Sequence, residues 1–167
     1  MSNYSNLRRF AAIGALSLMA ATQASAHSLA AVTAAGNFTF AAGTATLPGM
    51  TTPLFFNPAG ARFIATFSSE CSVNAAAGNS NAYTDVDIVV LNPANVVVAV
   101  LSPTAGNQDA FCSANGTAGF DGFESNSVQA IGGTNLAAGN YRVQVRARTN
   151  AGATGGWFGE RALILYR

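Results

Sequence analysis

Ala61-Arg62-Phe63-Ile64-Ala65-Thr66-Phe67-Ser68-Ser69-Glu70-Cys71-Ser72-Val73 alternates apolar and polar side chains over most of its length. Phe63, Ala65, Phe67, Cys71 and Val73 share one face, and Arg62, Thr66, Ser68, Glu70 and Ser72 share the other. Successive side chains of a strand point to opposite sides of its sheet, so this is a strand with one buried and one wetted face. Tyr141 to Arg148 repeats the pattern more strictly, with Tyr141, Val143, Val145 and Ala147 inward and Arg142, Arg146 and Arg148 on the polar side.

Outward from these two segments the same reading continues. Asp85 to Leu91 and Val96 to Leu101 are β-branched runs separated by Asn92-Pro93-Ala94-Asn95. Proline presets a turn there, so the two runs form a hairpin. Phe123 to Ile131 and Ala162 to Tyr166 are further strands, and Ala138-Gly139-Asn140 is a turn. Glycine and asparagine interrupt residues 27–167 too often for a helix of useful length. Short strands separated by turn clusters predict an all-β fold, an antiparallel β-sandwich of jelly-roll or immunoglobulin-like type. The stretch from His27 to Pro58 reads as less regular, with apolar clusters at Phe38-Thr39-Phe40 and Pro53-Leu54-Phe55-Phe56. Ser28 to Phe40 carries few large side chains, buries little area, and is expected to be the least firmly attached strand.

At the start of the chain, Arg8 and Arg9 precede a run of about 13 mostly apolar residues that ends near Ala24-Ser25-Ala26. A positive segment, a short apolar run and small residues at −3 and −1 make a secretory signal, cut after Ala26. The run is too short to cross a bilayer, which takes roughly 20 residues. Residues 27–167 are then a single exported domain. They contain no lysine, and their six arginines face seven acids. A nucleic-acid partner is not expected, because such binders concentrate positive charge. A surface of Asn, Thr, Ser and Gly with near-zero net charge is compatible with self-association. Cys71 and Cys112 form an even pair in an exported chain and are expected to be bonded. The loop closed is about 42 residues, for which chain entropy gives roughly 4 kcal/mol.

Residues able to carry chemistry are few. His27 is the single histidine, too little for a copper centre of several nitrogen ligands. Asp85 and Asp87 point to one side of their strand, where they read either as a solvated outer face or as the start of a cation site. Asp109, Asp121 and Glu124 lie in loop-like segments from which ligands could be added. No pair of carboxyls is selected for glycoside hydrolysis. There is no Gly-x-Ser-x-Gly, and Gly152-Ala153-Thr154-Gly155-Gly156 lacks the lysine of a phosphate loop. No metal, cofactor or catalytic set is therefore expected. Trp157-Phe158, on what reads as a glycine-rich loop, is the candidate ligand contact. It reads either as an aromatic platform for sugar rings or as a plug closing one end of the sandwich. Arg142, Arg146 and Arg148 read as a solubilised face that resists edge pairing, or as a stripe for anionic glycans.

The final strand, Ala162-Leu163-Ile164-Leu165-Tyr166-Arg167, alternates apolar residues and has a penultimate tyrosine. With Phe67-Ser68-Ser69-Glu70-Cys71-Ser72-Val73 around the first cysteine, it resembles the subunits of fimbriae assembled by the chaperone–usher route. The spacing from Cys71 to Cys112 is also similar to theirs. The resemblance implies an immunoglobulin-like sandwich that polymerises by donating a strand. Three features depart from the pattern: Cys71 is 44 residues after His27, Thr154 stands where those subunits carry a glycine, and residues 41–60 and 102–122 match nothing in them. The functional expectation is a non-catalytic secreted β-sandwich acting as an extracellular structural, adhesive or assembly component. Its partners would be other proteins or further copies of itself. A pilin-like subunit and a glycan-binding module are the alternatives.

Overall fold

The computed structural model describes residues 27–106 and 109–167; the secretory signal read over residues 1–26 lies outside the described residues. The alternating segment 61–73 becomes one of eleven strands, which run β1 Ser28–Ala34, β2 Phe38–Ala41, β3 Thr44–Thr51, β4 Phe55–Asn57, β5 Phe63–Ala75, β6 Tyr83–Leu91, β7 Val97–Val100, β8 Ala110–Ser113, β9 Gly119–Gly132, β10 Gly139–Asn150 and β11 Gly155–Tyr166. They form two sheets with every pairing antiparallel. One has the order β1-β11-β5-β9, with β2 also on β11. The other has the order β3-β10-β6-β7, with β4 also on β10 and β8 also on β6. The fold is the predicted all-β sandwich.

The two alternating segments supply its interior. Phe63, Ala65, Phe67, Cys71 and Val73 of β5 are all buried, as are Tyr141, Val143, Val145 and Ala147 of β10. Between the sheets, Phe67, Phe111 and Phe158 form a ring cluster with centroids 5.3, 6.0 and 6.5 Å apart. The Cys71–Cys112 bond ties β5 in one sheet to β8 in the other, with Cα atoms 6.1 Å apart. The Asn126 amide of β9 covers it, lying 3.9 Å from one sulfur and 3.7 Å from the other.

The hairpin is β6–β7. Asn95 N–H donates to Asn92 O at 2.9 Å, and Asn95 takes the left-handed conformation (φ 61°) that asparagine tolerates. Residues 27–58, read as less regular, hold four strands, β1 to β4, and 102–122, to which the sequence reading assigned no strand, hold the short β8 and the start of β9. Each of β1 to β4 and β8 has a longer neighbour to pair with, so tertiary pairing overrides a diluted local pattern. β1 and β2 both lie along β11 of the same chain, and His27 and Arg167 exchange backbone hydrogen bonds at 2.9 and 3.0 Å.

Three edge strands, β3, β7 and β9, are guarded. β3 contains Pro48, which has no N–H to offer. On β7, Val98 is the extra residue of a bulge between the pairs Leu91–Val97 and Val90–Ala99. On β9, Ser102 exchanges backbone bonds with Ile131 at 2.8 and 3.4 Å, and the Asn126 amide donates to Phe111 O at 2.6 Å. Such devices limit edge-to-edge pairing.

Candidate functional site

Trp157 and Phe158 are not on a loop. Both lie in β11, which begins at Gly155 and extends the sequence-read strand by seven residues. Alternation sends them to opposite faces. Phe158 is fully buried in the ring cluster, so it serves the plug reading, whereas Trp157 is half-buried on the outer face. Gly156 precedes them because a Cβ there would run into the Phe40 ring and Thr84.

On the outer face Trp157 meets Phe123 of β9 edge-to-face, with centroids 5.1 Å apart and planes at 81°. Phe123 remains 66% exposed. Sequence reading placed Phe123 only at the start of a strand. It joins Trp157 because β5 lies between β11 and β9 and brings the two outer strands into one sheet. Glu70, Glu124 and Ser125 complete the walls of this small recess.

Glu70 and Ser125 also belong to a larger trough of about 650 Å³. Its floor follows from the register. Thr33 pairs with Ala162, Ala162 with Ser68, and Ser68 with Ser127, a row of small side chains crossing four strands. Where larger residues stand on either side, small residues in the middle leave a channel. On the side towards Trp157, the β11 bulge between Phe158 and Arg161 displaces Glu160 outward, and it is exposed. Arg161, also lining the trough, is only 5% exposed. Its Nη1 donates to Phe158 O and Gly159 O, both at 2.7 Å, and burial pushes its pKa down. Its Nε has no partner among the described residues. The trough therefore offers two carboxylates and several hydroxyls beside an exposed aromatic pair, with the guanidinium buried beneath them.

The acidic and basic candidates on the other sheet are resolved differently. Asp85 is not on a solvated face: its side chain is 1% exposed. Arg148 of β10, directly across the ladder, donates from Nη2 at 2.7 Å and Nε at 3.2 Å to Asp85 Oδ2. It also reaches Asp87, with Nη1 at 3.2 Å from Oδ2. One guanidinium thus holds both carboxylates where the sequence left a cation or solvent to do so. Burial still dominates, lifting the Asp85 pKa to about 6 and raising that of Asp87 as well. The arginine stripe is likewise engaged: Arg142 donates to Asn95 at 3.1 Å, and Arg146 donates to Gln144 at 3.0 Å. Leu91 and Val89, cross-strand neighbours of Arg142 and Gln144, are nearly fully buried on this outer side.

Asp121 is in β9 rather than a loop, and its carboxylate accepts the N–H groups of Asn115 and Thr117 at 3.4 and 2.8 Å. Glu124, also in β9, accepts from the Asn126 amide at 2.8 Å. Among the described residues no three His, Cys, Asp or Glu side chains converge as a metal set, and no helix is long and apolar enough to cross a membrane.

No protein-family model and no curated protein matches the chain. Among solved structures it is similar to the crystal structure of the infectious bursal disease virus VP2 subviral particle, with TM-score 0.49 and 15% identity over 81% of this chain. It is also similar to the structure of the infectious bursal disease virus Gt strain, with TM-score 0.42 and 14% identity over 86% of this chain. The chain spans about a third of the length of these neighbours, 31% and 38% respectively.

Proposed function

We propose that this domain is a non-catalytic extracellular β-sandwich that acts by surface contact, as a structural, adhesive or assembly component. The observation that carries this reading is the use made of the charged groups. Asp85 and Asp87 are held by Arg148, Asp121 is spent on backbone N–H groups, and Arg161 on carbonyls. What is left in the open is an aromatic pair, a trough flanked by Glu70 and Glu160, and large apolar residues such as Phe56 and the cross-strand pair Ile64 and Ile131. Such a surface suits recognition by contact. Export through the signal read over residues 1–26 would place it outside the cytoplasm.

The test is the mass of the purified exported protein by light scattering over a range of concentrations, alongside its retention by intact cells. A monomer that no cell surface retains would sink the reading. The finer, pilin-like version requires β1 to leave its own β11 and seat on a neighbour. Deleting residues 27–40 should then leave a folded monomer that a peptide of that sequence fills. Loss of folding on deletion would favour a strand that only completes its own sheet.

A further inference from the structure

We propose that the trough on the outer face of the β1-β11-β5-β9 sheet is a binding site for a neutral sugar chain, with Trp157 and Phe123 as its stacking end. The proposal deepens the adhesive form of the reading above and rests on it. Four strands crossed side to side give a channel about 14 Å between the outermost strand axes, enough for a short oligosaccharide lying across them. The volume of about 650 Å³ falls in the range of small-molecule sites.

The chemistry of the walls selects the ligand class. Sugar hydroxyls donate and accept, and the trough presents both partners: carboxylates of Glu70 and Glu160 as acceptors, and the exposed Ser125 and Ser127 hydroxyls as either. Glu70 sits at the joint between trough and aromatic pair, since it walls both recesses, and a Cβ at Gly159 would stand 2.7 Å from its Oε2. The nonpolar face of a sugar ring packs on an aromatic side chain. Phe123, 66% exposed, offers such a surface beside Trp157. Glu70, Glu124 and Glu160 around the site repel a polyanion, so an acidic glycan is excluded on charge.

Trp157 is the only tryptophan of the chain, so its fluorescence reports this site alone. Titrating the full-length exported protein with cellohexaose, maltohexaose and mannohexaose should give a saturable emission change with at least one of them. Phe123→Ala should weaken that binding about tenfold, equivalent to about 1.4 kcal/mol. Glu70→Gln, which keeps size and removes only the charge, should weaken it as well, with the thermal melt unchanged. Silence with all three sugars would overturn the proposal, as would F123A and E70Q variants that bind like the parent protein. Preference for heparin or for a chitosan hexamer over the neutral sugars would overturn the ligand assignment. None of these failures touches the mass and cell-retention measurements, which test the contact function itself.

Discussion

Asp85 shows how one residue can tie stability to pH. Its carboxyl holds a proton up to about pH 6 in the folded chain, against an ordinary value of 3.8, because burial outweighs the attraction of Arg148. Between those values the folded state binds more protons than the unfolded one, so this group's contribution to stability falls as pH rises through the window. The rise from 3.8 to about 6 corresponds to roughly 3 kcal/mol. The raised pKa of Asp87 acts in the same direction. Urea unfolding between pH 4 and 6.5 should therefore show the parent protein losing stability relative to Asp85→Asn, and identical slopes would contradict the assignment. Arg148→Ala should cost about 3 kcal/mol at pH 7, because it strands buried charge. The cost should shrink at pH 4, where Asp85 is protonated in the folded state. At this scale the sequence named Asp85, Asp87 and Arg148 but could not pair them, since Asp85 and Arg148 are 63 residues apart and meet only through the β6–β10 register.

The elements differ in how firmly they are held. β1 is paired on one side by β11, and its Leu29, Val32 and Ala34 are only partly buried against the core. β10, by contrast, lies between β6 on one side and β3 and β4 on the other. Backbone amide exchange should be faster in residues 28–34 than in 141–148, and equal protection would show β1 to be as integral as the central strands. The disulfide between β5 and β8 is buried, with Asn126 over it. Mild reductant should leave it intact in the native protein and open it once denaturant is added. The Cys71→Ala/Cys112→Ala variant should lose about 4 kcal/mol at most, measured by urea unfolding. Prompt reduction under native conditions would mean that the sheets separate readily at that edge.

Across the whole molecule, the stability of the sandwich resides between its sheets, and the aromatic pair proposed for recognition lies outside them. Adjacent residues of one strand test that division. Phe158→Ala empties the ring cluster shared with Phe67 and Phe111 and should cost 3–5 kcal/mol, of the order measured for large-to-small core changes. Trp157→Ala removes one edge-to-face contact with Phe123 and should cost about 1 kcal/mol. A reversed order in urea unfolding would mean that the outer aromatic pair is structural.

The sequence by itself determined the class of fold, the inward faces of β5 and β10, the β6–β7 hairpin and the partners of the disulfide. Period-two alternation, a proline turn and an even cysteine count are local or countable signals, and burial of one face follows from them wherever the strand ends up. It did not determine β2, β4 and β8, each four residues or fewer, which persist because a longer strand lies beside them. Nor did it determine what the polar faces do. Asp85 read as solvated or as the start of a cation site and lies buried against Arg148, Trp157 and Phe158 read together as a platform or a plug and lie on opposite faces, and the trough is visible in no single segment. A polar face takes its environment from residues brought alongside by register, and register is decided by the packing of the whole sandwich rather than by any one strand.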